Sequence, residues 1–268
     1  MSSISIRRAT RSDLPEMASL LINAFAPGPW SRYLFPPHLR VKPGNGDELD
    51  FRLHMLSSKF DSPGREHVCA TVRQPGEEKE VLVGWAQWID SEGQADLDEE
   101  QRKKKEGEME AEPGLGAHIP GLDKDALSRL TKEGGLLEKR LAEYLGERGT
   151  THSCCESLLS LLHDLPYLHK LGYERKQGGL PVCAQVLNLL LVSPSYQRRG
   201  IGRLLAREGL DRAARENKEV RLRSTPEGRP LYLALGFEDV CAQKVIGETQ
   251  YGMVWRAPIA AKSTPDNE

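Results

Sequence analysis

Residues 184–204, AQVLNLLLVSPSYQRRGIGRL, change from an apolar run to a glycine-containing loop and then to a helical pattern. The run at 184–192 is almost continuously apolar, which is typical of a β-strand covered on both faces. The Ser-Pro-Ser at 193–195 ends that strand, and 203–217 places leucines and alanines on one face of an amphipathic helix. The sequence therefore predicts a strand, a short loop and a helix in direct succession.

The loop between this strand and this helix predicts a binding site for a pyrophosphate. A helix N-terminus presents free N–H groups and the positive end of the helix dipole to an anion. Gly200 and Gly202 lack side chains, so a phosphate can approach the main chain closely. Arg198, Arg199 and Arg203 add positive charge around the loop. An ordinary glycine turn on an arginine-rich surface is the alternative explanation of the same residues.

The sequence does not contain the competing phosphate and nucleophile motifs. A Rossmann fingerprint needs a third glycine, and Leu205 follows Gly200-Ile-Gly202-Arg-Leu at that point. No G-x-x-x-x-G-K-[ST] and no G-x-S-x-G occurs in the chain. These absences argue against a P-loop nucleotide enzyme and an α/β-hydrolase.

Two segments together resemble one known family. Gln197-Arg-Arg-Gly200-Ile-Gly202 resembles the acyl-CoA signature Q/R-x-x-G-x-G/A of the GNAT N-acetyltransferases. The segment 230–238, PLYLALGFE, resembles the later Y-x-x-x-G-F motif of that family at the expected separation. The resemblance covers residues 1–90 and 182–256, and 91–180 has no counterpart in a minimal member.

The resemblance implies an α/β (α+β) fold with a mixed, mostly antiparallel sheet and helices on both faces. Its central fourth and fifth strands splay apart and admit acetyl-CoA as the co-substrate. Main-chain groups near the end of the fourth strand would bond the pantetheine arm, and the loop amides would hold the pyrophosphate. The implied acetyl-CoA-binding residues are Leu191, Val192, Gln197, Arg198, Arg199, Gly200, Ile201, Gly202, Arg203 and Leu204.

Tyr232 matches the family tyrosine that protonates the sulfur of coenzyme A, and a packed core tyrosine is the alternative. The general base has no such match, because the strand at 184–192 carries no carboxylate. Its only polar residues are Gln185 and Asn188, and an amide cannot accept a proton at neutral pH, although Asn188 could orient a water. Glu174, Glu227 and Asp90 are more distant candidates.

The expected function is transfer of an acetyl group from acetyl-CoA to a primary amine by direct attack in a ternary complex. Tyr232 would be the general acid. The alternative is a non-catalytic acyl-CoA-binding or interaction module on the same fold, which the missing strand carboxylate favours. The sequence leaves the acceptor open among polyamines, amino acids, aminoglycosides, protein N-termini and lysines.

The pattern predicts a single N-acetyltransferase domain at 1–256, interrupted by an insertion at about 91–180 and followed by a flexible tail at 257–268. Between 95 and 112, 12 of 18 residues are charged, so this part has no apolar face to pack. A helix is expected at 123–145, where leucines recur at helical spacing, although Gly134-Gly135 could split it. We expect the insertion to cap the acceptor side.

Composition narrows the remaining function classes. With 37 Lys and Arg against 39 Asp and Glu, the net charge of -2 argues against nucleic-acid binding. The longest mainly apolar run is far too short for a membrane helix, and the N-terminus does not resemble a secretory signal. Five cysteines without a C-x-x-C predict neither a disulfide framework nor a metal site. The expectation is a protein of the cytoplasm or nucleus, with its oligomeric state left open.

An aromatic cluster follows the first predicted helix. Its members are Phe25, Trp30, Tyr33 and Phe35. In the GNAT family this region lines the acceptor side, so the cluster is interpreted either as pocket wall or as core.

Overall fold

The computed structural model describes residues 3–26, 28–73, 76, 80–90, 119–147 and 184–257. Its strands form one seven-stranded sheet in the order β1-β2-β3-β4-β5-β7-β6. The strands are β1 (Ser3–Arg8), β2 (Arg65–Arg73), β3 (Glu80–Asp90), β4 (Ala184–Val192), β5 (Glu219–Ser224), β6 (Glu238–Val245) and β7 (Glu248–Trp255). Neighbours are antiparallel except β4 and β5, which run parallel. The predicted mixed, mostly antiparallel sheet is confirmed.

Helices cover both faces of this sheet, as expected. They are α1 (Leu14–Phe25), α2 (Trp30–Leu34), α3 (Gly46–Lys59), α4 (Lys124–Glu147), α5 (Ile201–Arg215) and α6 (Arg229–Leu233). One apolar cluster joins α1 to α4 with one face of the sheet, and a second joins α5 and α6 with the other face. Each helix buries the apolar stripe that its sequence pattern provides, and the two clusters hold the central strand β4 between them.

Strand β4 is covered on both faces, as its apolar run predicts. Leu189 and Leu191 belong to the first cluster and Leu187 to the second. The register with β3 pairs Trp88 with Leu187 and Gln87 with Leu189, and it therefore skips Asn188. Asn188 is the extra residue of a β-bulge, which re-aims a side chain within an otherwise regular strand.

The two central strands separate along their length. β4 and β5 pair only from Ala184↔Glu219 to Leu187↔Leu222. Beyond Leu187, β4 is bonded to β3 alone, while the end of β5 is bonded to β7. The expected splay between the fourth and fifth strands is thus present, and it opens at the carboxyl ends of both strands.

The described part of the insertion is mainly one long helix. The 123–145 prediction corresponds to α4, Lys124–Glu147, and Gly134-Gly135 do not interrupt it. Leu137 and Leu141 are buried, and the Leu137 carbonyl lies 3.9 Å from Cys241 Sγ on β6. The Asp123 N–H, just before α4, donates to the Leu34 carbonyl of α2 at 2.8 Å. Packing on β6 keeps α4 continuous despite the two glycines.

Some expectations concern residues outside those described. These are the charged stretch at 95–112 and all but the first residue of the tail at 257–268. The division into one domain at 1–256 with an insertion remains a prediction.

Candidate active site

The glycine loop leads directly into α5. A short 3-10 turn, Pro194–Tyr196, is followed by Arg198 and Gly200 in left-handed conformations, with φ of 62° and 81°. The first backbone bond of α5 runs from Leu204 N–H to the Gly200 carbonyl at 3.1 Å. No side chain of the described residues caps this helix start. The N–H groups of residues 201–203 are therefore left without helical partners, as a bound anion requires.

The polar side chains of the loop divide into two groups. Gln197 Nε2 donates to the Val192 carbonyl at 3.2 Å, and Arg199 Nη2 donates to the Ser195 carbonyl at 3.1 Å. These two side chains brace the loop against its own backbone. Arg198 and Arg203 are exposed beside the helix start. Two of the three arginines thus remain available to an incoming phosphate.

Gly202 lies against the end of β4 at the mouth of the splay. A Cβ on Gly202 would stand 3.1 Å from Leu231 Cδ2 and 3.5 Å from Leu190 Cδ2. A larger side chain would therefore press on both neighbours and fill the space beside the free N–H groups. Gly200 faces open space, so its glycine is required by the left-handed backbone and not by crowding.

Main-chain groups of β4 point alternately to β3 and to the gap. Ser193 N–H donates to the Val83 carbonyl at 2.8 Å. Because N–H directions alternate along a strand, the Leu191 N–H also faces β3, while the Val192 N–H faces the gap. Of Leu191 and Val192, it is therefore Val192 whose N–H faces the gap and is left for a bound molecule.

Tyr232 of α6 is packed inside the second apolar cluster, and its neighbour Leu231 lies beside Gly202 at the start of α5. Its side chain is 7% exposed, and its ring meets the Phe237 ring edge-on at 5.6 Å between centroids. Burial raises the pKa of the phenol well above its ordinary value. The hydroxyl is therefore fully protonated at neutral pH, a state that suits a proton donor as well as a core residue.

A small pocket lies where β4 and β5 separate, with about 50 Å³ of free volume. Its walls are Phe25, Trp30, Asn188, Leu189, Arg223, Thr225 and Gln250. The pocket is on the opposite side of β4 from Tyr232, since Leu189 and Tyr232 belong to different apolar clusters. It is the place in the described structure where a second substrate could meet the edge of β4.

The four residues of the aromatic cluster after α1 do not all lie in the same place. Phe25 and Trp30 line the pocket. Phe35 instead packs on Phe51, at 5.5 Å between ring centroids, and Tyr33 lies beneath the guanidinium of Arg129. The cluster is therefore pocket wall at one end and core at the other.

A buried polar chain reaches this pocket from β2. Asn188 Nδ2 donates to Gln87 Oε1, and Gln87 Nε2 lies 2.8 Å from His67 Nε2. His67 stacks on Phe60, and burial lowers its pKa to about 4, so its ring is neutral at pH 7. Sequence analysis missed His67 and Gln87 because they join Asn188 only through the strand register.

One further residue that lines the pocket was also missed, together with a glutamate that bonds to Trp30 but does not itself line the pocket. Gln250 of β7 lines it, and Glu248, two residues earlier, accepts a hydrogen bond from Trp30 Nε1 at 3.2 Å. The alternation of β7 places both side chains on one face of the strand. In the sequence, the alternation of side chains along this strand was the only pattern that could have pointed to them.

The carboxylates named as distant candidates for the general base do not line the pocket in the described structure. Asp90 is paired with Lys218, with 2.8 Å between Oδ2 and Nζ, and Glu227 is exposed. Neither lines the pocket, and Glu174 lies outside the described residues. Within the described ranges, no group of three or more His, Cys, Asp or Glu side chains could hold a metal ion, and no helix is long and apolar enough to cross a membrane.

Comparison with known proteins gives consistent matches. Residues 177–248 match the family model "Acetyltransferase (GNAT) domain". A protein named "Acetyltransferase" from Stachybotrys chartarum is 26% identical over 244 residues, which cover 91% of this chain and 82% of that protein. The crystal structure of histone acetyltransferase HPA2 and related acetyltransferase from Corynebacterium glutamicum aligns with a TM-score of 0.50 and 16% identity, over 97% of this chain and 99% of that one.

A fourth match is the structure of yncA, a putative acetyltransferase from Salmonella typhimurium with its cofactor acetyl-CoA. It aligns with a TM-score of 0.45 and 13% identity, over 98% of each chain.

Proposed function

We propose that this chain, whose residues 177–248 match a GNAT acetyltransferase domain, moves an acetyl group from acetyl-CoA to a primary amine by direct attack in a ternary complex. The observation that carries the proposal is the gap between β4 and β5, which opens beside the free N–H groups at the start of α5. One end of that gap suits a diphosphate, and its other end reaches a pocket for a second substrate. Both substrates would therefore meet at the edge of β4.

The residues around the gap suit acetyl-CoA as the donor. The N–H groups of residues 201–203 would hold the pyrophosphate, with Arg198 and Arg203 alongside and Gly202 leaving room. The edge of β4 that lacks a β5 partner would bond the pantetheine arm as a strand bonds its neighbour. Leu191 would contribute through its buried side chain, and Gln197 and Arg199 through holding the loop in shape.

The chemistry then needs few groups. The amine nitrogen attacks the acetyl carbonyl carbon, so that a C–N bond forms, the C–S bond breaks and the nitrogen loses a proton to water. The Val192 N–H would donate to the carbonyl oxygen as negative charge develops there. Tyr232 would give its proton to the departing sulfur and regain one from solvent. The pocket walls include no carboxylate, so the amine would enter in its neutral form.

A non-catalytic acyl-CoA-binding module is the second candidate function. The specific observation in its favour is the lack of a carboxylate among the residues that line the pocket. The two candidates agree on acetyl-CoA binding and differ only on turnover.

One experiment separates them. Coenzyme A release from acetyl-CoA would be followed with a thiol reagent and a panel of amines: butylamine, putrescine, phenylalanine, a lysine amide blocked at its α-nitrogen and tetra-alanine. Thermal shift with coenzyme A would run in parallel, because a ligand stabilises the native state that binds it. Amine-dependent release supports the enzyme, and a thermal shift without any release supports the binding module. The absence of a thermal shift at millimolar coenzyme A would rule out both.

A further inference from the structure

Two residues that line the pocket each carry a buried side-chain oxygen without a hydrogen-bond partner in the described part of the chain. These oxygens are Asn188 Oδ1 on β4 and Gln250 Oε1 on β7, on side chains that are 8% and 3% exposed. A buried carbonyl oxygen that has lost water and gained no donor destabilises the folded state. Both oxygens are therefore positioned to accept N–H or O–H groups from a molecule in the pocket.

Unpartnered buried oxygens also occur away from the pocket. Asn188 and Gln250 differ from these because both residues line the same pocket. Gln185 Oε1, near the start of β4, is also buried without a partner among the described residues, yet Gln185 does not line the pocket. Asn188 and Gln250 come from strands on opposite sides of the β4–β5 gap, and both residues line this pocket. Two acceptors that converge in this way define a site for a group with two donors.

The Asn188 amide is held by a chain of hydrogen bonds that runs through the neighbouring strands. Gln87 is fully buried, and its Oε1 accepts from Asn188 Nδ2, so its Nε2 must face His67. An amide nitrogen only donates, and therefore His67 Nε2 accepts and the neutral ring carries its proton on Nδ1. In this arrangement the Nδ2 of Asn188 is bonded to Gln87 of β3, and its Oδ1 has no partner among the described residues.

Resting on the proposed acetyl transfer, we propose that Asn188 and Gln250 bind the amino group of the acceptor, each carbonyl oxygen accepting one N–H of an unhindered primary amine. Two N–H groups satisfy the two oxygens, and the lone pair of the same nitrogen remains for the acetyl carbon. In its neutral form a secondary amine has one N–H and leaves one oxygen unsatisfied. Phe25, Trp30 and Leu189 supply apolar walls for the carbon chain of the acceptor. Gln87 and His67 act as positioning residues.

The test is a titration that needs no turnover. Butylamine and N-methylbutylamine would be added separately to the full-length protein, with and without coenzyme A, while the side-chain amide signals of Asn188 and Gln250 are followed by ¹H–¹⁵N NMR. We expect butylamine to shift both signals and to bind about tenfold more tightly than N-methylbutylamine, the factor that one hydrogen bond provides. The signals would be assigned from their loss in Asn188→Leu and Gln250→Met.

Variants separate binding from folding. Gln250→Met keeps the shape of the side chain and removes the acceptor, so butylamine affinity should fall about tenfold and the preference over N-methylbutylamine should disappear. Gln185→Met makes the same substitution at a buried site outside the pocket and should leave affinity unchanged. Gln87→Leu should weaken butylamine binding, whereas Gln87→Glu keeps an acceptor for Asn188 and should restore it.

Each outcome decides the proposal. Shifts at both residues with a lost preference in Gln250→Met support it. Unmoved signals, or variants that bind butylamine as the wild type does, overturn it. A protein that shifts with butylamine but shows no thermal shift with coenzyme A would sink the proposed function and leave the amine site standing.

Discussion

Tyr232 can serve both as a packed ring and as a proton donor, and one substitution distinguishes these roles. Tyr232→Phe removes the hydroxyl and keeps the contact with Phe237. If the hydroxyl protonates the sulfur, kcat should fall about ten- to a thousandfold while acetyl-CoA affinity stays within a few-fold. Measurement requires steady-state kinetics with an accepted amine and the Kd for coenzyme A.

A purely structural Tyr232 gives a different pattern. The rate should then hold, while the free energy of unfolding drops by about 1 kcal/mol if a hydrogen bond is lost. Phe237→Leu serves as the control, because it alters the same ring contact without touching the hydroxyl. An unchanged kcat in Tyr232→Phe would remove this tyrosine from the mechanism.

At the scale of single residues, the sequence predicts site residues that lie close together along the chain. Gly200 and Gly202 were recognisable because a strand, a glycine loop and a helix follow one another within 21 residues. The distinction between Leu191 and Val192 was not recognisable, since it depends on which N–H groups β3 takes. Gln250 could not be recognised for the same reason, because it comes to line the same pocket as Asn188 only after the 61 residues between them have folded.

The start of α5 is the element on which donor binding depends. Gly202→Val should abolish the thermal shift with coenzyme A, because the branched side chain occupies the approach to the free N–H groups and presses on Leu231 and Leu190. Overpacking of this kind costs about 1–3 kcal/mol in stability, so the variant should still fold. Thermal unfolding with and without coenzyme A measures both effects.

Gly202→Ala provides the graded control. Its Cβ meets Leu231 Cδ2 at 3.1 Å, so the neighbour must move by only a few tenths of an ångström. Affinity for coenzyme A should fall less than in the valine variant. Equal affinity in wild type and Gly202→Val would place the pyrophosphate elsewhere.

At the scale of elements, α4 shows how packing overrides a local signal. Gly134-Gly135 argued for a break, but the buried Leu137 and Leu141 hold the helix against β6. Glu133 adds a contact, since its Oε2 accepts from the Ile246 N–H in the β6–β7 turn at 2.6 Å. With Asp123 N–H bonded to α2, the helix joins the two elements that carry Trp30 and Gln250.

Across the whole molecule, His67 makes stability depend on pH. Its pKa is about 4 in the folded state because it is buried, against about 6.5 in an unfolded chain. The unfolded state therefore binds the proton first, and the stabilisation present above pH 6.5 is lost as the pH falls toward 4. Between pH 7.5 and 5.0, this one residue should remove about 2 kcal/mol from the free energy of unfolding.

Urea unfolding at the two pH values, in wild type and His67→Gln, measures this difference. The variant should lose about 2 kcal/mol less than wild type over the interval. Arg7 beside Asp13 holds the pKa of that carboxyl well below its usual range, so Asp13 titrates below this window. His54→Gln, on the exposed face of α3, is the control and should behave as wild type. Equal losses in wild type and His67→Gln would contradict the assignment.

The separation of β4 from β5 also bears on aggregation. An unpaired strand edge on the outside of a protein can recruit another polypeptide, and natural sheets protect such edges with charge and irregularity. The outer strands here follow that rule, because β1 ends in Arg7 and Arg8 while β6 carries Glu238 and Lys244 and a register shift after Asp239. The unpaired edge of β4 instead lies inside the sheet, flanked by β5. Because β5 lies beside it, the unpaired edge of β4 is not at the outside of the sheet, where another polypeptide could add a strand.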